Sequence, residues 1–80
     1  MWTVYMLECK NGAFYTGVTT DPERRFKEHQ EKSARYTSYN PPVRMVYKER
    51  FISKVKAFRR EAAIKKLTRR KKETLIGYNT

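Results

Sequence analysis

The sequence predicts an α+β domain in which a small three-stranded sheet is flanked by helices, in the order β-β-α-β-α-α. Two observations lead to this fold class. Three short segments are rich in β-branched and aromatic residues, and an Asn-Gly turn signal separates the first two. Three other segments follow residues that typically begin helices. The chain has 80 residues, which we expect to form a single domain over residues 1–80.

The first two strands are expected to form a hairpin. Trp2 to Cys9 has the composition of a strand, and Ala13 to Thr19 is its return strand. The connection between them is Lys10-Asn11-Gly12, in which asparagine and glycine tolerate a positive φ. Both a two-residue and a three-residue turn fit this connection.

The form of this turn decides which face of the sheet each tyrosine occupies. A two-residue turn, which the local sequence slightly favours, pairs Tyr5 with Val18 and places Tyr5 and Tyr15 on opposite faces. A three-residue loop with Gly12 in the left-handed region pairs Tyr5 with Gly17 and places both tyrosines on one face. We expect the second form, because the function inferred below needs both tyrosines at one site. We also expect Gly17 to leave open space beside Tyr5 for a phosphate.

A first helix is predicted to begin after Thr20 or Asp21, either of which can cap it. Pro22 suits the first turn, and Thr20 with Glu23 fits a capping box. The helix is expected to end at about residue 30 or 31.

The rest of the chain is predicted from prolines and capping residues. Pro41 and Pro42 exclude a helix before the third strand. Ser53 and Thr68 are the expected N-caps of two further helices. The predicted segments are a polar loop at residues 32–40, a third strand from Val43 to Phe51, a second helix from Lys54 to about Leu67, and a third, short helix that ends before Gly77.

The charge balance indicates a polyanionic partner. Lys and Arg total 19 and Asp and Glu total 8, so the formal net charge is +11. Nucleic acid is the first partner class for such a charge, and an anionic membrane is the second. The single cysteine, Cys9, excludes an intrachain disulfide and a cysteine-based zinc site. No apolar run reaches membrane-spanning length, so we expect a soluble protein of the reducing cytoplasm.

Three sets of residues are candidates for chemistry, and each has a structural alternative. Tyr5 and Tyr15 have equally the character of half-buried strand aromatics. Arg25 and His29 share one helical face and can grip a phosphate, although a solvated face also explains them. Glu61 lies along the apolar side of the second helix, so its carboxylate must be paired, protonated or bound to a cation.

The second and third helices carry a fourth candidate, a basic surface. Between Lys54 and Lys72 there are ten basic residues and one acid, Glu61. Lys65 is the simplest salt-bridge partner of Glu61, at the i,i+4 spacing. A merely solvated face explains the remaining cations less well than phosphate binding does.

Taken together, these residues resemble the GIY-YIG nuclease domain over residues 2–75, and most closely its small stand-alone bacterial members. The matching positions are Val4-Tyr5-Met6, Tyr15-Thr16-Gly17, Arg24-Arg25, His29, Ala34-Arg35-Tyr36-Thr37, Pro42-Val43, Tyr47 and Ala57-Phe58-Arg59-Arg60-Glu61. Two departures stand out. Neither glycine nor isoleucine precedes Tyr5, and residues 30–33 lack the glycines that are usual in this subgroup.

The resemblance implies a metal-dependent endonuclease that hydrolyses phosphodiester bonds. Glu61 would hold one Mg²⁺ or Mn²⁺ ion, and Arg25 would bind the phosphate oxygens. Tyr5 would act as the general base, with Tyr15 and His29 orienting the water or relaying its proton. Because the pKa of a free tyrosine is about 10, we expect the positive charge of the protein, together with a bound cation, to lower the pKa of Tyr5.

The resemblance also implies a DNA substrate, branched or flapped and linked to repair, with RNA and a protein partner left open and no membrane partner. The residues expected to bind the nucleic acid are Arg24, Arg35, Tyr36, Arg59, Arg60, Lys65 and Lys66. Asn79 is the one candidate for a distal asparagine that some members use. The alternative function is a non-catalytic basic module that binds nucleic acid. A membrane-surface protein would need apolar anchors, whereas Val55 and Phe58 are expected to close the core.

Overall fold

The computed structural model describes residues 1–31 and 40–79, with side chains as far as residue 77. The elements are β1 (Trp2–Cys9), β2 (Phe14–Thr19), α1 (Pro22–Gln30), β3 (Pro42–Phe51), α2 (Lys54–Lys65) and α3 (Arg69–Asn79). The predicted order β-β-α-β-α-α is therefore confirmed. The loop predicted at residues 32–40 lies outside the described residues except for its last position.

The three strands form one antiparallel sheet in the order β2-β1-β3. β1 is the central strand, and its side chains are the most buried of the sheet. Val4, Met6 and Leu7 are fully buried, and Tyr5 and Cys9 are 1% exposed. Because β1 has a neighbour on each side and helices over its faces, it fixes where the other elements pack.

The hairpin between β1 and β2 has the three-residue loop. The Cys9 amide donates to the Ala13 carbonyl at 2.8 Å, and Gly12 has a φ of +87°. The Asn11 side-chain oxygen accepts from the Ala13 amide at 2.9 Å, which stabilises the loop from inside. Tyr5 consequently pairs with Gly17, as predicted.

The two faces of the sheet carry different helices. Val4 and Met6 form the core with Ala57 and Ile64 of α2. Tyr5 points to the opposite face, where it contacts α1. Local caps set the start of each helix: the Asp21 side chain accepts from the Arg24 amide, and the Ser53 side chain accepts from the Lys56 amide. Asp21 therefore caps α1, and the capping box predicted from Thr20 and Glu23 is wrong.

Two expectations about the last helices are also wrong. α3 continues through Gly77 to Asn79, because an exposed glycine late in a helix costs only about 1 kcal/mol and does not break it. Val55 and Phe58 of α2 are 58% and 44% exposed instead of closing the core. The core needs only Ala57 and Ile64 from α2, since Trp2, Phe51, Leu75 and Ile76 fill the rest.

We predict that alanine at Gly12 and at Gly77 changes stability in opposite directions. Gly12→Ala should lower the free energy of unfolding by about 1 kcal/mol, because an L side chain is strained at its positive φ. Gly77→Ala should raise it by about 0.5 kcal/mol, because a Cβ there meets open space in a helix. Urea unfolding of both variants measures this. If both variants changed the free energy of unfolding by the same amount in the same direction, the hairpin loop with Gly12 at a positive φ would be contradicted.

Candidate active site

The hydroxyl of Tyr5 lies against the backbone of Gly17. A Cβ built on Gly17 would stand 2.5 Å from Tyr5 Oη and 2.6 Å from Cζ. Only glycine, which has no Cβ, leaves room for the phenol ring of Tyr5 to lie across β2 at position 17. The space expected beside Tyr5 for a phosphate is thus filled by the tyrosine itself, and that expectation is wrong.

His29 of α1 is a hydrogen-bond partner of the Tyr5 hydroxyl. Its Nε2 lies 3.1 Å from Tyr5 Oη, and its side chain is completely buried. The Tyr15 ring packs on the imidazole at a centroid distance of 4.9 Å. Burial, and secondarily the nearby Arg25 cation, lower the pKa of His29 from 6.5 to about 4. The imidazole is therefore neutral at physiological pH and can accept a hydrogen bond from Tyr5.

Arg25 supplies the positive charge next to this pair. Its guanidinium donates to Glu28 with an Nη1–Oε1 distance of 3.0 Å, and it lies close enough to Tyr5 to act on the pKa of that phenol. The bond to Glu28 is the main reason that the pKa of Arg25 is raised. Arg25 is about one-third exposed, so one edge of its guanidinium remains open to solvent or to a substrate.

Tyr5 itself is hard to ionise in the protein alone. Burial is the main cause that raises its pKa to about 12, and the nearby Arg25 only partly offsets it. The charges of Tyr15 and Glu61 raise the pKa further. Desolvation therefore exceeds the attraction of Arg25 in the protein alone, and the lowered pKa expected with a bound cation stays a prediction.

Glu61 faces inward from α2, as its position on the helix predicts. Its side chain is 18% exposed, and one carboxylate oxygen lies 3.5 Å from the ammonium of Lys65. Its influence on the pKa of Tyr5 shows that the two groups are electrostatically coupled. In residues 1–31 and 40–79 there is no cluster of three or more His, Cys, Asp or Glu side chains that could hold a metal. A single carboxylate still suits Mg²⁺, which keeps its waters and takes the remaining ligands from a substrate phosphate.

The comparison with known sequences decides the family. The sequence profile of the GIY-YIG catalytic domain matches residues 1–74. The chain belongs to the GIY-YIG family. It is 51% identical over 75 residues to the UPF0213 protein BH0048 of Halalkalibacterium halodurans, covering 92% of this chain and 80% of that protein. It is 47% identical over 77 residues to the UPF0213 protein VNG_2274C of Halobacterium salinarum, covering 95% and 100%.

Solved structures of relatives carry the same GIY-YIG fold. The solution NMR structure of the UPF0213 protein BH0048 from Bacillus halodurans gives a TM-score of 0.64 at 49% identity, covering 98% of this chain and 85% of that one. The solution NMR structure of the protein EF2693 from E. faecalis gives 0.64 at 39% identity, covering 95% and 82%. A GIY-YIG catalytic domain implies nuclease chemistry on a nucleic acid, typically with a divalent metal. Across the described residues, no helix has the length and apolar character to cross a membrane.

The basic residues expected to bind nucleic acid fall into two groups in this GIY-YIG domain. Arg24, Arg59 and Lys66 are exposed, as a phosphate-binding surface requires. Two others have structural partners: Lys65 pairs with Glu61, and Arg60 donates to Glu49 at 2.8 Å within a cluster that includes Tyr47. Arg35 and Tyr36 lie outside the described residues, as does the side chain of Asn79.

The sequence analysis did not single out three charged residues on α1 and on the Tyr5 face of the sheet. Glu28 accepts from the guanidinium of Arg25, and its i,i+3 spacing was the available signal. Lys48 and Arg50 of β3 share the Tyr5 face, because they pair with Tyr5 and Thr3. Their face could not be read from the sequence, since the register of β3 shifts between its pairings with Met6 and Leu7.

We predict that Gly17→Ala disturbs Tyr5. The new Cβ overlaps the phenol, so the ring must rotate or the strands must separate, at a cost of about 1–3 kcal/mol. Chemical denaturation measures the loss, and the NMR signals of Tyr5 and His29 should shift together. Unchanged stability with unchanged Tyr5 signals would show that the hydroxyl does not lie on Gly17.

We predict that the neutral state of His29 makes stability depend on pH. The unfolded chain protonates this imidazole near pH 6.5, but the folded protein does so only near pH 4. Between these values the unfolded state binds more protons, so stability falls as pH decreases, by about 3 kcal/mol in total from this group. His29→Gln should lack this component when unfolding is compared across that range. Parallel losses in both proteins would contradict the assignment.

Proposed function

We propose that the protein is a metal-dependent endonuclease that hydrolyses phosphodiester bonds of DNA. One arrangement carries the proposal: the buried hydroxyl of Tyr5 lies 3.1 Å from Nε2 of the neutral His29, and the charges of Arg25 and Glu61 both act on the pKa of Tyr5. The proposed base, anion-binding cation and metal-binding carboxylate are therefore near enough for their charges to interact, as phosphodiester hydrolysis requires.

Tyr5 is the proposed acceptor of the proton of the attacking water, and His29 is its hydrogen-bond partner. The phenol oxygen of Tyr5 accepts this proton as the water oxygen bonds to phosphorus. The phenol must lose its own proton to solvent before it can act as a base, and the pKa of about 12 disfavours that loss in the protein alone. The imidazole of His29, whose pKa of about 4 makes it a weak proton acceptor, orients the phenol oxygen from 3.1 Å away.

Arg25 is the proposed ligand of the phosphate, and Glu61 is the proposed ligand of the metal ion. The open edge of Arg25 binds the non-bridging oxygens and stabilises the negative charge that develops on them. Glu61 is the proposed ligand for Mg²⁺ or Mn²⁺, and its pairing with the exposed Lys65 is weak enough to be exchanged for a cation. When bound, the ion supplies Lewis-acid stabilisation to the phosphate and its leaving oxygen.

The net charge of +11 supports DNA as the substrate. Arg24 of α1, Arg59 of α2 and Lys66, directly after α2, are exposed cations, and each phosphate they neutralise releases counterions. Binding should therefore weaken as salt increases. Branched or flapped DNA of the kind met in repair is the substrate class to test first, together with plain duplex and RNA.

We predict that chelator and Glu61→Gln each abolish cleavage, while Glu73→Gln does not. Glu73 is an exposed acid of α3 paired with Arg69, so its loss makes the same charge change away from the site. Loss of Glu61 should reduce the rate by about a hundredfold or more. The measurement is cleavage of labelled branched, flapped and duplex DNA across a range of Mg²⁺ and Mn²⁺ concentrations.

Tyr5→Phe is expected to lower the cleavage rate by about 10²–10⁴-fold, because it removes the base and leaves the ring packing in place. Full activity of this variant over the whole pH range would refute Tyr5 as the base. Salt-sensitive DNA retention with no cleavage under any metal condition would favour the non-catalytic binding module instead.

A further inference from the structure

One side of α2 joins the proposed metal ligand to an exposed aromatic ring. Lys54, Phe58, Glu61 and Lys65 follow one another at spacings of four, three and four residues, so they line one side of the helix. We call these four residues the Phe58 stripe. Phe58 and Glu61 lie about 4.5 Å apart along the helix axis. The stripe therefore continues directly from the site where we place phosphate cleavage.

Phe58 is held in place although it is 44% exposed. The Trp2 ring packs against it with a centroid distance of 6.0 Å and an interplanar angle of 57°. The ammonium of Lys54 lies 5.3 Å from the Trp2 centroid and 5.9 Å from that of Phe58. Phe58 is thus a supported ring with an ammonium over it, and neither the core nor the proposed chemistry uses its exposed part.

The charge on and near the stripe favours an anionic occupant. The stripe has two cations, Lys54 and Lys65, and one acid, Glu61, and the same helix also carries the exposed cations Lys56 and Arg59. An aromatic surface framed by cations suits a flexible polyanion with flat apolar groups, because bases stack on the ring while phosphates meet the lysines. A single-stranded nucleic acid has this chemistry. In a duplex the base faces are already stacked on one another and cannot reach Phe58.

We propose that Phe58, supported by Trp2, stacks an unpaired base of the nucleic acid one helical turn from Glu61, with Lys54 contacting the adjacent phosphate. The proposal makes single-stranded character next to the cleaved bond the feature that the protein recognises. Its position relative to cleavage rests on the proposed function; the stacking itself does not.

The single tryptophan of the chain makes the stacking directly measurable. We would titrate a short oligothymidylate and a blunt duplex with the same number of phosphates into the protein, in the presence of EDTA, and follow Trp2 fluorescence. The single strand should quench the fluorescence and bind more tightly than the duplex. Phe58→Ala and Phe58→Leu should each weaken single-strand binding about tenfold, and Phe58→Tyr should retain it.

Val43→Ala is the matched control. Val43 is 60% exposed on β3 and belongs to a different element, so this variant removes an exposed apolar side chain while leaving the stripe intact. Its affinity for the single strand should equal that of the unaltered protein. Urea unfolding of each Phe58 variant reports whether the fold is retained, and Phe58→Tyr keeps the test valid if the smaller side chains destabilise the protein.

The proposal would be overturned by equal affinity for single strand and duplex, by full affinity in Phe58→Leu, or by fluorescence changes with anionic vesicles but not with DNA. Self-association that Phe58→Ala abolishes, without single-strand binding, would assign the surface to a second copy and also overturn it. Because EDTA excludes cleavage from the titration, these failures are separate from a failure of the nuclease. Metal-dependent cleavage without single-strand preference would leave the proposed function standing.

Discussion

The buried hydroxyl of Tyr5 must have hydrogen-bond partners, and the surrounding structure is arranged to provide them. A hydroxyl removed from water without a partner destabilises a protein by about 1–3 kcal/mol. Here Nε2 of His29 lies 3.1 Å from it, and Arg25, one turn earlier on α1, acts on its pKa. The contact holds α1 against the Tyr5 face of the sheet, and burial of His29 together with the Arg25 charge keeps the imidazole neutral. The Tyr5 hydroxyl also requires glycine at position 17, since any Cβ there would displace it.

The pairing register of the hairpin places Tyr5 and Tyr15 on the same face of the sheet, and part of this register could be predicted. The sequence alone left the turn open, and the local signal favoured the wrong form. The three-residue loop was correctly expected because Tyr5 and Tyr15 share a site only in that register. The inward position of Glu61 followed from helical periodicity alone, because this residue lies beside the apolar positions of α2.

What the sequence could not provide depends on contacts between distant segments. The pKa of Tyr5 rises because burial exceeds the attraction of Arg25, and the extent of burial is set by tertiary packing. The sequence makes Arg60 a candidate phosphate-binding cation. In the fold, β3 places Glu49 within hydrogen-bonding distance of it. Phe58 fits a helix-core position by periodicity, but Trp2 and the residues of α3 fill that space first. In each case the outcome depends on which distant residues pack against or pair with the group. A local sequence pattern does not contain this information.

The central claim is that Tyr5 is a buried base whose ionisation is linked to a cation at Glu61. NMR of the six tyrosines labelled at Cζ, titrated with alkali in carbonate-free buffer with and without millimolar Ca²⁺, tests this claim most directly. Calcium stands in for magnesium because it stays dissolved at high pH and prefers the same oxygen ligands. Tyr5 should titrate at about 12 in the protein alone. Calcium should lower that value by about one unit, and Glu61→Gln should remove the effect of calcium. A Tyr5 that ionises at an ordinary tyrosine pKa, or one that calcium does not shift, would contradict the account.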